Sequence, residues 1–312
     1  FKLSTVTEKK PSSFEISFIL ERVIYRYGFE IAGFEIISEW LFKKNEVETP
    51  LFKRVGQSFE TINKSSFQDG LKFKDSVNSN VLFVSHLAQN NSKDVKPIRD
   101  FFVGLNVISG IDDKAHKDVT KLLYNISPEF KKWVSLAVRF LEITNVGISK
   151  DDELVTYHNK YDENSFLVDS VPFILDEDES QGTKKIILLL GAIYDTLING
   201  KVLFIDELDS KLHPNLSRKL LDFFQKFNRR NAQFIFTAHD ANLLDKEILR
   251  RDQIWFVDRN KFGASELYSL SDFDAKVVRS TSDFRKKYLE NSFGAAETIN
   301  ITDDLIDIMY GK

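Results

Sequence analysis

The 312-residue sequence contains no cysteine, six prolines and one methionine. The lack of cysteine excludes disulfides and thiolate metal sites, and it is typical of cytosolic proteins, so we expect a cytoplasmic location. No apolar run reaches the ~18 residues of a membrane-spanning helix, and no signal peptide is apparent. The net charge of −4 shows no basic excess, so contact with nucleic acid would need a local patch or a partner.

Three stretches of the chain differ in their apolar pattern. Residues 13–60 are rich in Phe, Ile, Val and Tyr with partial alternation, which predicts a meander of β-hairpins. Residues 81–146 show apolar positions at helical spacing. From about residue 184 to 275, helices alternate with apolar strands, including a short helix predicted over 243–249. This alternation predicts an α/β fold with a parallel sheet.

The strongest chemical signal is an acid pair, Asp206–Glu207, at the end of the apolar run VLFID. The carboxyl ends of strands in α/β sheets are where ligands bind. In phosphoryl transfer, Asp206 would hold magnesium and Glu207 would orient the attacking water and accept its proton. The alternative is a strand end carrying two solvated acids.

A histidine follows the next apolar strand, QFIFTA. His239 lies 33 residues after Asp206, and a parallel neighbouring strand would place it level with Glu207. There it could contact a γ-phosphate and the attacking water. By itself, a histidine at a strand end is more often a polar cap.

The third signal is ESQGTKK, residues 179–185, at the start of a predicted helix. Ser180, Gly182 and Thr183, together with free backbone N–H groups, would form an anion site. The alternative is an ordinary capped helix. His86, His116 and His158 show no metal-ligand spacing and are interpreted as structural. The pairs 184–185 and 229–230 are interpreted as solvated.

In combination, these motifs resemble ABC-type ATPases, the superfamily that includes transporter ATPases, SMC and Rad50. The greatest similarity is to the bacterial AAA15/AAA21 group, with the RloA-like and OLD-like ATPases of phage defence. That group has an ES-x-GT signature, a Walker B region like DELDxxLHP and a TxHD switch. The matching segments here are 179–183, 206–214 and 237–240, and YLENSFGA at 288–295 resembles a further element of the group.

The resemblance implies an ABC-type ATPase head of the P-loop NTPase superfamily, using ATP and Mg²⁺. Its parts would be a β-rich lobe (1–80), a helical insertion (81–150), an α/β lobe (151–275) and a C-terminal tail (276–312). ABC heads hydrolyse ATP between two subunits. One subunit would supply Walker A, Asp206 and Glu207, and the other would offer Ser180 and Gly182, with Thr183 and the D-loop residue His213 also near the nucleotide.

Walker A, G-x-x-x-x-G-K-[ST], is absent from these residues. Because the chain begins with Phe1 rather than Met, we expect this motif just before it. The resemblance also implies a head-to-head dimer or higher oligomer that controls a partner effector in antiviral defence. That effector would be a TOPRIM-type or HNH-type nuclease, and the trigger a nucleic acid or a phage protein, with no membrane involved.

Two other functions stay open at this point. One is a nucleotide-sensing scaffold with little turnover, and the other is a DNA-repair ATPase of the Rad50 or RecF kind, although no sustained heptads are present. A nuclease within the chain itself is disfavoured. The acids after the motifs, in SDFD and TDDLID, follow no apolar strand and are interpreted as solvated turns or a helix start.

Overall fold

A computed structural model describes residues 2–109, 114–274, 283–296 and 310. The chain divides into two compact units, Phe1–Leu105 and Asn106–Lys312. Within the described ranges, no helix combines the length and the apolar character needed to cross a bilayer.

The first unit is built on a five-stranded antiparallel meander, in which each strand pairs with the next along the chain. This arrangement confirms the prediction for residues 13–60. The strands are β1 (Ser12–Leu20), β2 (Val23–Ala32), β3 (Glu35–Lys44), β4 (Glu48–Val55) and β5 (Ser58–Ile62). Three short helices follow: α1 (Gln68–Phe73), α2 (Phe83–Gln89) and α3 (Lys96–Val103).

Aromatic side chains fill the core of this unit, and one ion pair is buried within it. Phe52, Phe67 and Phe83 are fully buried and lie in ring contact. The fully buried Arg54 and Glu39 form an ion pair of 2.7 Å. The Glu39 carboxylate also accepts the first N–H groups of α2, so the pair ties that helix to the sheet and satisfies both charges.

The described residues of the second unit form three sheets. A parallel sheet has the order β11–β10–β6, and the two antiparallel sheets are β7–β8–β9 and β12–β13. The strands are β6 (Asn106–Ser109), β7 (Asn145–Ile148), β8 (Leu154–Tyr161), β9 (Leu167–Ile174), β10 (Val202–Asp206), β11 (Gln233–Phe236), β12 (Trp255–Arg259) and β13 (Ser265–Ser269). The helices are α4 (Lys114–Ile126), α5 (Pro128–Ala137), α6 (Leu175–Asp178), α7 (Gln181–Asn199), α8 (Pro214–Phe227) and α9 (Phe284–Leu289).

One face of the parallel sheet is covered by α7 and α8. Leu189 and Ile193 of α7 and Leu221 of α8 share a buried cluster with Leu203 and Ile205 of β10. The long apolar stretch of α7 reflects burial on more than one side. α4 crosses it at Gly191, where a Cβ atom would lie 3.0 Å from the Cα of Thr120, so only glycine permits this close approach.

Several local expectations differ from the structure. Residues 243–249 do not form the predicted short helix. Instead, a 3₁₀ turn spans Ala241–Leu243, and the Asp245 carboxylate then accepts the N–H of Glu247, which favours a turn over a continued helix. The polar stretch 65–80 contains α1. The acids of TDDLID, interpreted as solvated turns or a helix start, lie outside the described residues.

The segment 81–150 was expected to be helical. It does contain α2 to α5, but it also contributes the two short strands β6 and β7. It is divided between the two units, because the boundary falls at Leu105–Asn106. Its proposed role as an insertion, and the boundaries at 80, 150 and 275, stay predictions.

Candidate functional site

The predicted pairing between the two motif-bearing strands is present. β10 and β11 run parallel, with Ile205 opposite Phe236. Their carboxyl ends therefore meet at one edge of the sheet, where Asp206 and Glu207 follow the first strand and Thr237 and His239 follow the second. This is the edge at which α/β sheets bind ligands.

Hydrogen bonds join the two chain segments at this edge. The hydroxyl of Thr237 donates to Asp206 Oδ1 at 2.6 Å and accepts the N–H of Glu207 at 2.8 Å. The Thr237 carbonyl accepts the N–H of Leu208 at 2.9 Å. The N–H of His239 donates to Asp209 Oδ2 at 3.0 Å, so each segment holds the other in place.

Glu207 has a backbone conformation that costs energy. Its φ is +53°, in the left-handed region that non-glycine residues seldom adopt. Such residues cost about 1–3 kcal/mol and cluster at active sites, where surrounding contacts maintain them. Residues 207–213, which we call the catalytic loop after the role predicted for Glu207, therefore depend on their neighbours for their shape.

The main such neighbour is Lys185, which was wrongly interpreted as solvated. It is fully buried, and its ammonium donates to the carbonyls of Glu207 (3.0 Å), Leu208 (2.9 Å) and Ser210 (2.7 Å). The three donors of an ammonium offset the cost of burying its charge. The available signal was its position on α7 four residues before Leu189, which places it on the side of the helix that packs against the sheet.

The signature turn, residues 179–183, leads into α7. Ser180 is the N-cap, and its Oγ accepts the N–H of Thr183 at 3.1 Å and lies 2.9 Å from the Thr183 hydroxyl. Gly182 packs against the catalytic loop, because a Cβ atom there would lie 3.2 Å from the Lys211 carbonyl oxygen. Within one chain, the signature turn and the catalytic loop are thus in contact.

The remaining candidate, His213, forms the N-cap of α8. Its Nδ1 accepts the N–H of Asn215 at 3.2 Å, and the residue is exposed. The histidine therefore shapes the end of the catalytic loop and remains accessible to a nucleotide or a second subunit.

The side chains at the ends of β10 and β11 are chemically suited to bind Mg²⁺ together with a nucleotide. Within the described ranges, no group of three or more His, Cys, Asp or Glu side chains could hold a metal alone. A Mg²⁺ ion in a nucleotide site needs fewer protein ligands than this. It binds one or two carboxylates, and phosphates and water complete its coordination shell. The exposed Asp206, fixed by Thr237, provides the hard oxygen ligand that such an ion prefers.

His158 had been interpreted as structural, but it lies beside the signature. Its Nε2 is 2.6 Å from Oε1 of Glu179, the residue that immediately precedes Ser180. His86, in the first unit, contacts the hydroxyl of Ser76 instead, and the side chain of His116 lies outside the described residues.

Comparison with known proteins identifies a family. The chain is similar in structure to the SMC head domain from Thermotoga maritima, with 10% sequence identity, a TM-score of 0.35, and coverage of 80% of this chain and 74% of that one. No curated protein matches the sequence. The family described as "AAA domain, putative AbiEii toxin, Type IV TA system" matches residues 1–245, which confirms the resemblance to the AAA21 group. The chain therefore belongs to this family of AAA-type ATPase domains.

Proposed function

We propose that this chain forms the catalytic head of a Mg²⁺-dependent, ABC-type ATPase. The observation that carries the proposal is the junction at the ends of β10 and β11. There, Asp206 and Glu207 are hydrogen-bonded to the segment that bears His239. The Asp206 carboxylate and the Glu207 N–H are thus fixed at the edge where α/β sheets bind ligands.

Each residue has a distinct role in this proposal. Glu207 accepts a proton from the water that attacks the γ-phosphate, and its strained backbone fixes where the carboxylate sits. Asp206 would hold Mg²⁺, which supplies charge neutralisation on the phosphates when bound. His239 contacts the γ-phosphate side of the nucleotide, in a position set by the bond from its own N–H to Asp209.

A phosphate-binding segment of the Walker A kind would fit on the open face of the parallel sheet. On that face, Val107 is 68% exposed and Ile235 39% exposed, and both lie opposite Phe204. Parallel sheets are normally covered on both faces. β11 is also an edge strand of this sheet in the described structure, so a further strand could pair with it.

The signature turn is proposed to act on the nucleotide of a second subunit. Ser180 and Gly182 of one chain would contact the γ-phosphate bound by the other, with Thr183 and His213 nearby. The capped start of α7, a helix of 19 residues, supports this role because its N–H groups and dipole favour an anion. ATP binding would then close a dimer, or a higher oligomer, and hydrolysis would open it.

We further propose that this switch controls a partner effector, such as a TOPRIM-type or HNH-type nuclease, in antiviral defence. This part rests on the resemblance. The accompanying prediction that the chain is not itself a nuclease is supported by Asp272, whose carboxylate accepts the N–H of Ser269 and caps a turn. Asp303 lies outside the described residues. The purified chain should cleave neither DNA nor RNA with Mg²⁺ or Mn²⁺, and activity lost on Asp272→Asn or Asp303→Asn would contradict this.

The decisive experiment is Glu207→Gln in the full-length protein. The amide keeps the size of the side chain but cannot accept the proton, so turnover should fall by about 100-fold or more while ATP stays bound. Glu142→Gln is the matched control, because Glu142 also has a positive φ of 62° but lies outside the site. Wild-type turnover in Glu207→Gln would refute the assignment. Tight ATP binding without turnover in the unaltered protein would favour a nucleotide-sensing scaffold.

A further inference from the structure

We propose that His158 is a positioning residue for the signature turn and acts through Glu179. The inference rests on the proposed function, since it requires that the turn contact a nucleotide. It concerns three side chains on two segments: Thr156 and His158 of β8, and Glu179 at the start of the signature turn.

The three side chains form a nearly buried cluster. Residues 156 and 158 alternate along β8 and therefore share one face of the sheet. The hydroxyl of Thr156 donates to Oε1 of Glu179, and His158 Nε2 lies 2.6 Å from the same oxygen. The Glu179 side chain is 7% exposed and that of His158 is 27% exposed, while Thr156 is fully buried.

The direction of the bonds follows from the groups involved. The Thr156 hydroxyl donates to Oε1 of Glu179, and an imidazole that carries its proton on Nε2 donates to the same oxygen. The imidazole is held in position by Phe173 of β9, whose ring centroid lies 4.6 Å away. Two donors on a preformed sheet therefore hold the Glu179 carboxylate against β8.

The consequence for the turn comes from sequence adjacency. Glu179 is extended, with φ −91° and ψ 151°, and the next residue is the N-cap Ser180. Fixing the Glu179 side chain sets the direction in which the chain enters α7.

If this cluster only packed the signature turn against β8, apolar side chains would be expected there instead of polar ones. Burying a carboxylate is costly without strong partners, and apolar side chains pack a sheet against a helix at lower cost. The position of this carboxylate, one residue before the proposed anion-binding cap, gives the cluster a specific task. Loss of His158 should therefore impair the signature of its own chain and leave the Walker B residues of that chain unaffected.

Mixed dimers of the full-length protein can test this distinction. One chain carries Ser180→Ala and the other carries Glu207→Gln, so that both defects fall in the same composite site. The other site keeps Glu207 from the first chain and the signature from the second. With differently tagged chains and a composition verified by mass, this parent dimer should hydrolyse ATP at its one intact site.

His158→Ala is then added to either chain. On the chain that carries Glu207→Gln, whose signature is in use, it should lower kcat about tenfold with little change in KM. On the chain that carries Ser180→Ala, it should add no further loss, since that signature is already out of use. His158→Gln, which keeps an N–H donor, should restore most of the activity, and His86→Ala is the matched histidine control.

The outcomes separate the two proposals. Equal loss in both placements would show a general structural role and overturn the inference, as would no loss in either placement or no rescue by glutamine. An inactive parent dimer would refute action of the signature in trans, and the inference would fall with it. Thermal unfolding of each variant chain confirms that the comparison is made between folded proteins.

Discussion

The catalytic loop and the signature turn are neighbours in the second unit, yet they are stabilised in opposite ways. The signature turn begins with a relaxed N-cap, in which Ser180 bonds the N–H of a residue three positions on. The catalytic loop begins with Glu207 at φ +53°, and Lys185 and Thr237, more than twenty positions away, bond this first part of the loop. The helix cap at Ser180 is local, and only Glu179 before it is held from β8, whereas the strained start of the catalytic loop is held by distant residues.

This difference reflects how precisely each segment must position its functional groups. A helix N-terminus presents its N–H groups wherever a suitable cap exists. A general base must be placed to within a fraction of an ångström, which strained backbone and buried partners achieve. If that explanation is correct, removing a distant partner should damage the catalytic loop more than removing the local cap damages the signature.

The largest effect is expected for Lys185→Met. Methionine fills a similar volume but leaves the carbonyls of the catalytic loop without their ammonium donor, so Glu207 should relax from its strained conformation. We expect kcat to fall about 100-fold, because small displacements of a catalytic group have effects of that order. ATP affinity should change little. Steady-state kinetics and nucleotide binding on the same preparation measure the two quantities.

Lys184→Met is the control for this experiment. The neighbouring lysine donates to the carbonyl of Asp176 and makes no bond to the catalytic loop in the described structure, so its loss should leave kcat within about twofold. If both substitutions reduced kcat equally, the special role of Lys185 would have to be abandoned.

A smaller effect is expected for Ser180→Ala, with Ser127→Ala as its partner. Both serines are N-caps whose hydroxyls accept the N–H three residues on, at 3.1 Å in each case. Each substitution should lower the free energy of unfolding by about 1 kcal/mol. Only Ser180→Ala should reduce turnover, by about 30-fold, since it alone removes a hydrogen bond to the charged phosphate.

Denaturant unfolding and ATPase assays on the two variants provide the comparison. The two variants should lose similar stability, and only Ser180→Ala should lose ATPase activity. That result would separate the role of Ser180 in function from its role as a helix cap. An unchanged rate in Ser180→Ala would show that the turn serves only the helix.

The same contrast explains what the sequence could predict. The serine–glycine–threonine pattern predicted the start of α7 with Ser180 as its cap, and the apolar runs predicted the parallel pairing of β10 with β11. The structure contains both features. The positive φ of Glu207 and the burial of Lys185 depend on contacts distant in sequence. A lysine pair in an otherwise amphipathic pattern is usually solvated. The sequence pattern therefore predicted the wrong environment for Lys185, whose burial depends on tertiary contacts.

The fold shows a similar division. The meander of the first unit was predictable because alternating apolar residues and short turns specify hairpins locally. The short strands β6 and β7 were missed, because four-residue strands carry too little periodicity to stand out beside helical segments. β6 matters to the site, since Ser109 lies opposite Asp206 in the parallel register.

The smallest effect is expected for Thr237→Val, which tests the bond between the two strand ends. Valine keeps the branched shape but removes the hydroxyl that donates to Asp206 and accepts from Glu207 N–H. Loss of these bonds should reduce turnover about fivefold at limiting Mg²⁺, because Asp206 becomes freer to leave the position in which it would hold the ion. Raising the Mg²⁺ concentration should recover part of the loss.

Thr237→Ser, which restores the hydroxyl, should behave like the unaltered protein, and a magnesium titration of ATPase activity compares the three. A loss in Thr237→Val that is independent of Mg²⁺ would point to Glu207 rather than Asp206 as the residue affected. No loss at any concentration would show that the catalytic loop keeps its shape without this hydroxyl, through Lys185 and the bond from the Leu208 N–H to the carbonyl of residue 237. The distant support of the loop would then come from the buried lysine and from the backbone.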